Sequence, residues 1–245
     1  MQRLIIAILV VMGFLLAQDN PLIIRSNYLV PKVGHEDKLE KGLKDHTDRF
    51  HQSGEHAINT WQVVAGDRTG QYLRTTRHKD WADFDTHVDL PGDQAHWERA
   101  VAPHIGSIGG NVYWRLVPNL SYNPPQGPSK MFSVWYVQYK AGAWLTHRDA
   151  LLKIIEARKE NESTAQVATY AKAVGGEGRY YAFLNPMDGW ADMNPDGMTL
   201  WETLVASYGE EEASSILGAR SGAVERYESE VILFRKDLSS PLGEE

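Results

Sequence analysis

The tripeptide Trp-Ala-Asp occurs twice in this chain, in KDWADFD at 79–85 and in DGWADMN at 188–194. Its surroundings repeat as well. An aromatic residue, Trp61 or Tyr170, opens the stretch before each copy. Gly66 matches Gly175, and Gly70 matches Gly178 after one deletion. Further on, Asn119-Leu120-Ser121 matches Asp237-Leu238-Ser239. Landmarks kept in one order over so long a stretch indicate a duplicated domain. A solenoid needs a shorter period and more copies.

Hydrophobic periodicity gives the same element order in each half. Residues 24–33 read as a strand, and Leu39, Leu43, His46 and Phe50 recur at helical spacing after Gly34. Strands at 57–65 and 71–76 flank a turn, a polar segment with short helical patterns follows, and 111–117 closes the half. The second half reads as a strand at 131–140, a helix from Trp144, a hairpin around Gly175-Gly176, a helix over about 199–218 interrupted at Gly209, and a last strand from 228. The Pro- and Gly-rich linker falls at 122–130. Residues 131–139 and 231–234 are apolar on both faces, so both faces of the sheet are covered. The fold class is therefore α+β, with two tandem ferredoxin-like βαββαβ units, 24–121 and 131–239, whose antiparallel sheets face each other with helices outside.

This pattern resembles the dimeric α/β-barrel superfamily, nearest to its antibiotic-biosynthesis-monooxygenase and NIPSNAP-like groups. The strand-then-glycine before an amphipathic helix (28–43), the hairpin, and YGEEEASSIL (208–217) before the last strand carry the resemblance. It implies that the two subunits of the usual dimer are fused here. The superfamily includes cofactor-free oxygenases, isomerases and haem enzymes, so fold alone does not fix function.

The chain has 245 residues and a net charge of −7, with no basic stripe, which excludes nucleic acid as a partner. A positive start, an apolar run over 4–17 and a polar turn at Gln18 form the pattern of a signal peptide, residues 1–17. The run is short for a membrane span, though an uncleaved anchor is the alternative. Without cysteine, disulfides are impossible, and a secreted or periplasmic chain must rest on its core.

In 111–117, Val112, Trp114 and Leu116 form an apolar face expected to meet the helices. That leaves Tyr113 and Arg115 for the lumen, and Tyr72 and Arg74 alternate alike. Arginine among aromatic rings suits an aromatic or acidic small molecule. The expected ligand site is Tyr72, Arg74, Tyr113 and Arg115 between the sheets, with cofactor-free oxygenase or isomerase chemistry open to it. The competing reading is a scaffold whose lumen is filled by its own side chains. Eight of the nine histidines lie in the first half. His46 interrupts an apolar stripe and reads as a core histidine bonded to backbone. No metal-binding spacing of histidines occurs, and HKDWADFDTHVD (78–89) reads as an acidic face. The string D-x-N-x-D-G at Asp192, Asn194 and Asp196 resembles a calcium loop, but Thr203 replaces its last ligand, and Thr199 with Glu202 spells a capping box. No metal or cofactor is expected, with calcium there as a weak alternative and haem on a single histidine left open.

Overall fold

The computed structural model describes residues 22–86, 88, 90–194 and 197–241. The proposed leader, 1–17, lies outside them, as do His87 and Asp196. The elements run β1 (Ile23–Pro31), α1 (Glu36–Phe50), β2 (Ile58–Ala65), β3 (Tyr72–His78), α2 (Asp83–Thr86), α3 (Asp93–Ala100), β4 (Ile105–Ile108) and β5 (Val112–Leu116). They continue with β6 (Met131–Tyr139), α4 (Trp144–Glu160), β7 (Ala168–Val174), β8 (Tyr180–Met187), α5 (Leu200–Gly222) and β9 (Val224–Phe234). Helix α5 breaks at Gly209, whose φ of 78° is open to glycine at little cost. No helix among the described residues is long and apolar enough to cross a membrane.

The strands form one antiparallel sheet in the order β3-β2-β9-β6-β8-β7-β5-β1, and β1 pairs with β3 to close it into a barrel. Closure runs through two seams between the halves, β2 with β9 and β5 with β7. The sheets are thus hydrogen-bonded edge to edge as well as facing. Strand β4 pairs with the far end of β1. It was not read from the sequence because Gly109-Gly110 separates it from β5 and leaves a strand of only 4 residues.

Two glycines mark the seams. Gly66 (φ 106°) and Gly175 (φ 94°) each leave no room for a side chain: a Cβ would stand 2.7 Å from the Ser229 carbonyl oxygen and 2.4 Å from that of Asn111, respectively. The two Trp-Ala-Asp stretches use their aspartates alike. Asp83 Oδ2 accepts the backbone N–H groups of Lys79 (2.9 Å) and Asp80 (3.1 Å). Asp192 Oδ2 accepts those of Asp188 (2.6 Å) and Gly189 (3.3 Å). Each caps the turn that leaves a strand. The tryptophans themselves, Trp81 and Trp190, are 42% and 54% exposed.

The ends of the halves are exchanged. Thr60 N donates to Ser239 Oγ (2.9 Å) and Thr60 Oγ1 to the Leu238 carbonyl (2.9 Å). Thr169 N donates to Ser121 Oγ (2.9 Å) and Thr169 Oγ1 to the Leu120 carbonyl (2.6 Å). Leu238 completes the core beneath α1 with Leu29, Leu39 and Leu43, while Leu120 completes the core beneath α4 and α5. Burying each leucine in the other half's core makes the halves interdependent. Leu238→Ala therefore costs about 2–5 kcal/mol, read as a lower urea midpoint. The first half's helices unfold together with the second half; an independent early transition of either half would contradict the exchange.

Candidate ligand pocket

The four residues expected to line the lumen face outward. Tyr113 packs edge-on against Phe84 (5.2 Å) and near Trp81 (6.0 Å), outside the barrel. Arg115 is exposed on the same face. Trp114 takes the interior position, donating from Nε1 to Ser26 Oγ (3.0 Å) and packing on Tyr136. The assumed parity fails because both faces of β5 are covered, and the outer one meets only the short polar helix α2, which tolerates Tyr and Arg. Tyr72 is buried beneath α1, donating to Glu40 Oε1 (2.5 Å), and Arg235 holds that carboxylate from Nη2 (2.8 Å). Arg74 also lies on the helix side, over Trp97 (5.6 Å) and donating to Thr47 Oγ1 (3.2 Å). Tyr72 and Arg74 are thus held within the first half, and Tyr113 and Arg115 lie apart from them on β5.

The lumen is filled. Trp61 packs on Phe132 and Phe234, and Leu73, Val134 and Ile232 complete that cluster. Only about 80 Å³ remains between these side chains and the Trp114 cluster. At one end Glu230 binds Arg68 Nε (2.8 Å) and accepts from Tyr136 (3.0 Å) and Tyr28. Pairing and hydrogen bonds offset the cost of burying that carboxylate.

The large cavity lies outside the barrel in the second half, between the outer face of β6 and β8 and the helices α4 and α5. Its volume is about 610 Å³, within the usual range for ligand and cofactor sites. Val137, Leu151, Ile154, Ile155 and Phe183 supply apolar walls, and the polar groups are His147, Arg158, Arg220, Asn185, Ser221 and Glu225. Residues 147, 151, 154 and 158 fall on one face of α4, a helical spacing that could have revealed the site in the sequence. His147 Nδ1 lies 3.1 Å from the Arg220 carbonyl oxygen, to which it must donate because a carbonyl only accepts. Its buried Nε2, left with the lone pair, has no partner. Burial pushes the His147 pKa down to about 4, so the ring is neutral at pH 7. Burial also lowers the pKa of Arg158 and of Arg220, and the neighbouring Arg220 guanidinium lowers that of Arg158 further; Glu225 lines the same pocket, but among the described residues no carboxylate forms an ion pair with either arginine.

No family model and no curated protein matches the chain. Solved structures do. A provisionally named monooxygenase from Lactobacillus acidophilus NCFM aligns over 90% of this chain and 96% of its own, with TM-score 0.54 and 10% identity. An anthrone oxidase-like protein aligns over 89% and 92%, with TM-score 0.51 and 10% identity. A variant chlorite dismutase from Candidatus Nitrospira defluvii aligns over 91% and 96%, with TM-score 0.53 and 9% identity. The chain has the dimeric α/β-barrel fold. Identities this low carry the fold alone.

The expectation of no cofactor is corrected here. Chlorite dismutases, among the neighbours of this fold, are haem proteins, which removes the ground for expecting none. The pocket fits that group: it has the volume, apolar walls, a neutral imidazole with an unpartnered Nε2, and two arginines for carboxylates. Of the calcium alternative's residues, Asp196 lies outside the described residues and the neighbouring groups are engaged elsewhere. Asp192 Oδ2 is committed to two backbone N–H groups, and the Thr199–Glu202 capping box forms, with Glu202 N donating to Thr199 Oγ1 (3.2 Å).

Three buried imidazoles set a pH dependence for the ligand-free chain. His46, His51 and His147 have pKa values lowered by burial to about 3, 4 and 4. Unfolded histidine titrates near 6.5, so below that pH the unfolded state binds more protons. Stability is full above about pH 6.5 and falls toward pH 4, by up to about 2 kcal/mol per ring at pH 5. Urea midpoints at pH 7 and 5 measure this, and equal midpoints would contradict neutral burial.

Proposed function

We propose that the chain binds a planar, anionic small molecule, haem first among them, in the pocket beneath α4 and α5. The observation that carries this reading is His147: its Nδ1–H is fixed on the Arg220 carbonyl, which leaves Nε2 as a buried lone pair with no protein partner. That tautomer is the one an iron ligand needs, and a carbonyl on the other nitrogen is the usual device for orienting it. Arg158 and Arg220 are placed to hold the carboxylates of the ligand, through charge-assisted bonds that are strong away from water. The apolar walls accept its ring and exclude solvent. Bound haem supplies one-electron and oxygen chemistry, while the protein supplies position and charge.

The same reading takes residues 24–121 and 131–239 as tandem ferredoxin-like units from one duplicated gene segment, joined by 122–130. The matched Thr-Ser exchanges, the matched aspartate caps and the strand order β9-β6-β8-β7 beside β5-β1-β3-β2 support it. Export through the leader at 1–17, to a secreted or periplasmic location, completes the proposal.

A second reading is favoured by the paired arginines alone: an aromatic acid bound without a metal, as oxygenase substrates of this fold would be. Titration of the purified chain with hemin, followed by the Soret band and by quenching of Trp135 at the pocket wall, separates the two. Haem binding predicts one hemin per chain and a loss of at least about 100-fold in affinity for His147→Ala. Unchanged hemin affinity in that variant would remove His147 as the ligand and leave the aromatic-acid reading.

A further inference from the structure

The first half holds a second cluster that the pocket does not use. His46 and Thr47 lie within α1, His51 follows its last residue, and Asp93 opens α3. The helix ends at Phe50, so His51 leaves the helical path (φ −129°, ψ 44°) and its ring returns toward His46. His46 Nε2 stands 3.2 Å from His51 Nε2 and 3.2 Å from Asp93 Oδ1. His51 Nε2 stands 3.8 Å from Asp93 Oδ2. All three donor atoms fall within 4.8 Å of one another.

We propose that His46, His51 and Asp93 form a mononuclear site for a divalent first-row transition ion such as zinc, cobalt or iron. Two imidazoles and one carboxylate are the donors such ions select. Donors held about 2.0–2.2 Å from zinc stand roughly 3.3–3.6 Å apart at tetrahedral angles, close to the spacing already present. His51 already has the tautomer a metal needs: its Nδ1 donates to the His56 carbonyl (2.9 Å), which leaves Nε2 as a lone pair. His46 Nε2 faces two acceptors, Asp93 Oδ1 and the His51 lone pair, so without an ion it carries the proton. A bound ion takes that place and moves the proton to Nδ1, 3.2 Å from His96 Nδ1. Trp97 packs edge-on against His46 (5.3 Å) and holds its plane. Three protein ligands leave coordination positions for solvent or a substrate, the composition of a reactive site and not of a closed structural one. Arg74 sits beside the cluster and also lines a separate polar cavity of about 250 Å³ with Arg25 and Asn111. Its charge opposes a cation but complements an anion bound to one, so the open positions suit an anionic ligand. Neither haem nor His147 enters this argument.

The test is titration of chelator-treated full-length protein with Co(II) alone. The expected result is a visible ligand-field spectrum that saturates at one ion per chain. Zn(II) should bleach it by competition. Asp93→Asn and His51→Ala should each weaken binding at least about 100-fold, while His35→Ala, in the separate His35–His104 pair, should leave it intact. Circular dichroism checks that each variant is folded. X-ray absorption of the wild-type Co(II) complex provides the second measurement, with two imidazoles expected in the first shell. No saturable binding, binding that survives in both folded variants, or fewer than two imidazoles would each overturn the proposal.

Discussion

The barrel depends on a reciprocal exchange of two short straps. Ser239 and Leu238 bond to Thr60 in the opposite half, and Ser121 and Leu120 bond to Thr169 in the same way. Each hydroxyl satisfies a buried backbone donor that would otherwise be stranded beside a strand end. Each leucine fills a core that its own half does not own. The seams β2–β9 and β5–β7 then close the sheet, and no long strand edge is left between the halves to pair with other chains. The two hydroxyls of Tyr28 and Tyr136, 108 residues apart, meet at 2.9 Å inside the barrel.

Closing the barrel displaces function outward. Aromatic rings from both halves fill the interior, so neither sheet face there can admit a ligand of any size. The space that remains lies between sheet and helices, and the halves use it differently. The second half keeps a wide apolar pocket with one histidine and two arginines. The first half is packed tightly, with Gly42 in α1 so close to Ala100 that a Cβ would stand 2.1 Å from its carbonyl oxygen. Its polar residues gather into the histidine–aspartate cluster instead. In our reading the two halves thus offer two kinds of chemistry, because the wide apolar pocket lies beneath the helices of the second half, while the first half has a smaller polar cavity of about 250 Å³.

Much of the frame was legible in the sequence. The hairpins, the α5 break at Gly209 and the double-sided burial of 131–139 all follow from residue type and spacing. The orientation of β5 was not legible. Parity tells which residues share a face but not which face meets the lumen when both are covered, and Tyr113 and Arg115 were placed on the wrong side for that reason. His46 was singled out but read as a core histidine bonded to backbone; it is buried, yet its ring nitrogens meet His96, His51 and Asp93. Its partners were hidden because His51 belongs to a helix end, and Asp93 and His96 come from another element, so no motif spacing relates them. The His147 site was missed for a simpler reason: a lone histidine in an apolar helix looks like core until its far nitrogen is seen to lack a partner.

The central claim is that a protein with a filled barrel carries its chemistry in the space beneath its helices. Native mass spectrometry of the chain purified from its own host, without added cofactor or metal, tests it most directly. The account predicts a mass above that of the mature polypeptide, by a planar anionic cofactor retained in the His147 pocket, and release of that species when the protein is denatured. A homogeneous bare-polypeptide mass under gentle conditions, from cells replete in haem and metals, would contradict it.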